Sequence, residues 1–91
     1  MNHIKEKEME KILKALANRR RLAILAYLKK NGEATVGNIA KKINLSFKAT
    51  SKHLGILSAV NIVDKNQRRL QMFYYLSVSQ KPLVKYTINL L

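Results

Sequence analysis

The chain contains no cysteine. Disulfides, thiolate metal sites and thiol redox switches are therefore excluded, and the absence fits a cytoplasmic protein. One proline and three glycines leave little turn punctuation, which points to a compact, mostly helical unit. Carboxylates are scarce and scattered: Glu6, Glu8, Glu10, Glu33 and Asp64. The two histidines, His3 and His53, stand apart, and no Gly-rich phosphate loop is present. Those absences leave no catalytic constellation, so an enzyme is not expected. The apolar run that includes Ile24–Leu28 is far too short to span a bilayer. The first ten residues, MNHIKEKEME, are charged and lack the apolar stretch of a signal peptide.

Positive charge is what the chain has in excess. Its 18 Lys plus Arg against 5 acids give a formal net charge of +13. Such an imbalance favours a polyanionic partner, nucleic acid first and an anionic membrane second. Ninety-one residues allow one domain, here residues 1–91, and 47% hydrophobic content supplies a thin core. Domains this small often gain stability by associating.

Helical periodicity dominates the first two thirds. A first helix is expected over Ile4–Ala17, with Met9, Ile12, Leu13 and Leu16 on one face. Asn18 is placed to cap a second helix, Arg19–Lys30, whose inward residues are Leu22, Leu25 and Leu28. Asn31-Gly32 ends it. Thr35 is an N-cap for a short helix, Val36–Ile43, and Asn44-Leu45 is a tight turn in which Asn tolerates the left-handed backbone. Ser46 caps a fourth helix, Phe47–Ser58, with Thr50, Leu54 and Leu57 inward. After Asn61 the period changes to two. Ile62–Lys65 and Leu70–Leu76 read as strands joined by Asn66–Arg69. A last helix is expected over Pro82–Leu91, with Leu83, Tyr86, Leu90 and Leu91 on its apolar side. The order α-α-α-α-β-β-α, mainly α with a small β-hairpin, is that of a winged helix-turn-helix.

The stretch Thr35–Leu57 carries the functional signal. Lys48, Ser51 and Lys52 fill the second helix of the motif wherever its apolar seam leaves room, as a helix in a DNA major groove requires. Base contacts are expected from Phe47, Lys48, Ser51 and Lys52 at the helix that Ser46 opens. Phosphate contacts are expected from Thr35, Lys41, Lys42, Ser46, Lys52 and the Arg19–Arg21 run, Arg20 above all. Lys65, Arg68 and Arg69 are expected at the minor groove as the wing. Blander readings stand beside these. Lys41 and Lys42 suit a solvated face, Phe47 suits packing against the turn, Arg21 a structural role, and His53 a hydrogen-bonded packing role. Of Tyr74 and Tyr75, one ring belongs in the core.

Three segments resemble the ArsR/SmtB family of small winged-helix repressors. Leu16–Leu25, LANRRRLAIL, is similar to the family's LADPTRLRIL-like opening. Thr35–Leu57 is similar to its helix-turn-helix, and Val63–Leu76 to its wing, which ends in an aromatic pair, here Phe73-Tyr74. The resemblance implies a homodimer whose first and last helices pair across a twofold axis and whose recognition helices meet successive major grooves of a palindromic operator. Met9, Ile12, Leu13, Leu83, Tyr86 and Leu90 are the interface residues it points to. It also implies a cytoplasmic protein associated with the prokaryotic nucleoid. The departures are informative. Arg19 stands where the family often has Pro, Asn44 and Asn61 where it usually has Gly, and the wing tip lacks its usual Gly. The family's metal-binding positions correspond here to Thr35 and Gly37, or to Val78, Gln80 and Leu91, so neither metal nor other cofactor is expected.

Two other readings remain open. A low-specificity architectural or chromatin protein is suggested by cations spread from Lys5 to Lys85. A protein-interaction or membrane-surface winged helix predicts no salt-sensitive duplex binding at all.

Overall fold

The computed structural model describes residues 5–91, so His3 and the helix start expected at Ile4 lie outside it. The element order is α1 (Glu6–Leu16), α2 (Arg19–Asn31), β1 (Glu33–Thr35), α3 (Val36–Ile43), α4 (Phe47–Ala59), β2 (Val63–Arg68), β3 (Gln71–Leu76) and α5 (Pro82–Asn89). This is a winged helix-turn-helix carrying one strand more than the sequence reading contains.

Local chemistry accounts for most boundaries. Asn18 Oδ1 accepts from the Arg20 and Arg21 amides at 2.9 and 3.1 Å, which starts α2. Gly32 ends it at φ +86, its N–H donating to the Leu28 carbonyl. Thr35 Oγ1 accepts from Asn38 N–H and Ser46 Oγ from Ala49 N–H, so α3 and α4 each begin on a hydroxyl cap. Between them Asn44 sits in the left-handed region at φ 56, ψ 53, and Asn61 takes φ 61 after α4.

The core is built where these helices cross. Ile24, Leu25, Leu28, Ile39, Leu54, Leu57, Ile62 and Val63 are essentially inaccessible. In α2 the chain buries Ile24 and leaves Leu22, expected inward, only half-buried. Ile12, expected at a dimer interface, is 2% exposed and belongs to the protomer's own core. Helix α5 buries Val84 and Ile88, which leaves Leu83 half-buried and Tyr86 and Leu90 outward. A 2.6 Å ion pair from Lys81 to Glu8 ties the start of α5 to α1.

The sheet has the order β1-β3-β2, antiparallel throughout. Strand β1 is only three residues long and pairs Ala34 with Tyr74, burying both. The hairpin is longer than periodicity indicated. Arg68 pairs with Gln71, so the turn is Arg69-Leu70 rather than Asn66–Arg69.

Thr50 is fully buried on the inner face of α4, and its hydroxyl has no hydrogen-bond partner among the described residues. An unpaired buried hydroxyl costs stability, and a methyl of the same shape does not. Thr50→Val is therefore expected to leave stability unchanged or raise it by about 1 kcal/mol. Leu54→Ala, at an equally buried position, should lose about 2–5 kcal/mol. Urea denaturation of both variants checks the pair.

Candidate nucleic-acid interface

Burial of one stripe decides what α4 shows to solvent. With Thr50, Leu54 and Leu57 turned inward at three- and four-residue spacing, Lys48, Ser51 and Lys52 are exposed and Phe47 is 63% exposed. The N-terminus of α4 adds the partial positive charge of its unpaired amides to this surface. Ser46 and Thr35 each spend an oxygen lone pair on a cap, which leaves the hydroxyl hydrogen free to donate outward.

Lys41 and Lys42 are exposed on the last turn of α3. Among the described residues, ion pairs engage Lys14, Arg68 and Lys81 and none of Lys41, Lys42, Lys48 or Lys52. Arg20 is half-buried. Together with Arg19, Lys30 and Lys42 it rims an open groove floored by Tyr27 and Ile43 and lined by no carboxylate. The cationic surface thus runs from α4 across the end of α3 to α2.

Within the wing, Lys65 and Arg69 are exposed, but Arg68 departs from expectation. Its guanidinium pairs with Glu33 of β1 and lies over the Phe73 ring, 3.8 Å from the centroid. It is folded back on the outer face of the sheet and does not project from the tip. Sequence reading missed this arrangement because the Glu33 partner lies 35 residues away on a strand with no periodic signal. It missed Leu70 at the tip for a related reason: no Asn-Gly or Gly-X pair marks the turn.

Arg21 and His53 join three helices. Arg21 donates from Nε to the Ala15 carbonyl at 2.6 Å and from Nη2 to the Lys14 carbonyl at 2.9 Å, closing the C-terminus of α1. Its Nη1 lies 3.1 Å from His53 Nδ1 on α4. An arginine has no acceptor, so Nδ1 accepts and the ring proton sits on Nε2. Burial first, then the charges of Arg21, Arg20 and Lys52, hold the His53 pKa below its ordinary value.

A helix-turn-helix with an exposed cationic second helix, followed by a basic hairpin, defines a winged-helix DNA-binding regulator. The chain belongs to the arsR family of bacterial regulatory proteins, whose family model matches residues 18–65. It is 40% identical to the transcriptional activator HlyU of Vibrio cholerae over 91 residues, covering 92% of this chain and 81% of HlyU. An HlyU structure superposes with a TM-score of 0.79 at 35% identity, covering 96% of this chain and 92% of HlyU. The transcriptional repressor SdpR of Bacillus subtilis is 36% identical over 74% of this chain and 72% of its own length. A homodimeric winged helix-turn-helix DNA-binding domain from Mycobacterium bovis, a possible ArsR-family regulator, has a TM-score of 0.78 at 25% identity. That match covers 99% of this chain and 85% of the domain. The protein is accordingly a DNA-binding transcription regulator and not an enzyme. Among the described residues no helix is long and apolar enough to cross a membrane.

The His53 contact has a pH signature. In the unfolded chain the ring titrates near 6.5, above its folded value, so the unfolded state holds more protons in that window. Stability should therefore fall as pH drops from 7 through 6.5 toward the folded value. His53→Gln should flatten that slope, and Arg21→Ala should raise the ring's pKa toward normal. Urea titrations at several pH values and the NMR titration of the His53 ring read the two effects separately.

Proposed function

We propose that the protein is a homodimeric, sequence-specific repressor that sets α4 into the major groove of a palindromic operator and its wing at the minor groove. The observation that carries this reading is the outward face of α4, where Lys48, Ser51 and Lys52 stand opposite a fully buried stripe. Lysine donates to guanine O6 or N7, serine serves several bases, and Phe47 suits a thymine methyl. Thr35, Ser46, Lys41, Lys42 and Arg20 supply phosphate contacts, and Lys65 and Arg69 the wing contacts.

Dimerisation is supported by apolar surface that the protomer leaves open. Met9 and Leu13 line an open groove on α1, and Tyr86 and Leu90 of α5 are 67% and 70% exposed beside half-buried Leu83. The Glu8–Lys81 pair links the start of α5 to α1. Repression needs only that a bound dimer obstruct the promoter. SdpR is a repressor by name, whereas HlyU is an activator by name. Regulation through the family's metal positions is not proposed. Thr35 caps α3, Gln80 donates to the Ile62 and Ser77 carbonyls at 2.8 and 3.0 Å, and Gly37, Val78 and Leu91 have no donor side chain. The site of action is the cytoplasm, at the nucleoid.

Selection of bound duplexes from a random pool, followed by footprinting, tests this reading. An inverted repeat preferred over random DNA by about 10³ or more at near-physiological salt is expected. A ratio near one would instead support a low-specificity architectural protein, the alternative suggested by cations distributed from Lys5 to Lys85.

Variants divide the roles. Lys48→Ala with Ser51→Ala should lower the preference between duplexes by about 10–100-fold while retaining general affinity. Lys65→Ala with Arg69→Ala should weaken operator and random duplexes both and reduce the salt slope by about 1.8. Leu13→Glu with Tyr86→Glu should convert a dimer to a folded monomer by light scattering, with loss of operator binding.

A further inference from the structure

The tip of the wing carries a leucine with nothing to pack against. Leu70 is 98% exposed, at the second position of a two-residue turn. Every residue from Asp64 to Gln71 is exposed, so the ribbon projects away from the core. Arg69, at the first turn position, has φ +57, a conformation that residues with a Cβ rarely adopt. The ribbon is nevertheless braced. Arg68, the last paired residue of β2, is held by Glu33 on the far strand and by the Phe73 ring on the central one. That bracing withdraws one cation from the tip and leaves Arg69 and Leu70 as its leading side chains.

We propose that Leu70 is an apolar wedge that enters the minor groove of duplex DNA and partly unstacks one base step, with Arg69 as its electrostatic guide. The inference rests on the wing reading above and adds a residue that reading does not use. A charge-only wing would have its affinity in phosphates and would gain nothing from an isobutyl group. Minor-groove proteins that kink DNA use this type of side chain, because an apolar group inserted at a step replaces stacking that a polar group cannot replace. Arginine beside it favours the narrow, strongly negative groove of A·T-rich sequence, and TA or CA steps unstack most easily. A wedge must also be held in place, and Arg68, by touching Phe73 and Glu33, joins the base of the tip to all three strands. The resulting specificity is for deformability at a step that no recognition-helix residue touches.

The test uses the full chain and a duplex recovered by the selection above. The duplex carries 2-aminopurine at the step facing the wing and a donor–acceptor pair at its ends. With the unaltered protein, 2-aminopurine fluorescence should rise and the ends should approach. Leu70→Ala should bind about tenfold more weakly, lose both signals and keep the same salt slope, since no charge changes. Leu70→Met should retain both signals. A Leu70→Ala protein that bends the duplex and unstacks the step as before would overturn the wedge while leaving the DNA reading intact. Loss of dimer mass in Leu70→Ala would also overturn it, by assigning the residue to a protein contact. If the unaltered chain selects no duplex, the DNA reading fails together with the wedge, before any variant is made.

Discussion

The seating of α4 on the core is the constraint from which the rest of the surface follows. Thr50, Leu54 and Leu57 are all at zero exposure, and α4 has no rotational freedom once they are packed against the α2 and α3 side chains beneath them. Its start is fixed by Ser46, and its entry angle by the left-handed Asn44. Rotating the helix by one residue, about 100°, would expose both leucines and turn inward either Ser51, Gly55 and Ser58 or Ala49, His53 and Ile56. The chemistry shown to solvent is therefore a by-product of burial, which is why so thin a core holds a defined binding face.

Scarcity of acid has a comparable organising effect. Glu8 links α1 to α5, Glu33 links β1 to β2, and Glu10 pairs along α1 with Lys14. Exposed ion pairs contribute little energy each. Their consequence here is positional, because two of the three join elements distant in sequence. Among the described residues the remaining cations of α3, α4 and the turn have no ion-pair partner, and the repulsion among them is relieved when an anionic polymer arrives.

Elements governed by local chemistry were legible in the sequence. The caps at Asn18, Thr35 and Ser46, the positive φ at Asn44 and Asn61, and the inward set of α4 follow from side-chain types at fixed spacing. Features governed by distant partners were not. Strand β1 exists because β3 offers it an edge, and three residues hold too little pattern to announce themselves. Ile24 displaced Leu22 from the inward set of α2, and Ile12 went to the core, because more than one neighbour packs against each of those helices. The outer faces of α1 and α5 were readable as apolar, but whether such a residue faces its own core or a companion depends on packing. The polar strand Val63–Arg68 carried no β-branched run past its first residue, so its length was set by the register of β3.

The guanidinium of Arg21 gives the molecule a rigid strut. One planar group links the end of α1, the first turn of α2 and the middle of α4. A tilt of α1 relative to α4 would have to break one of these bonds or carry the other helix with it. In an assembly gripped through α1, the distance between two α4 helices would be gauged by this brace rather than by the compliance of side chains between them. Spacing along a double helix would then be set within each subunit.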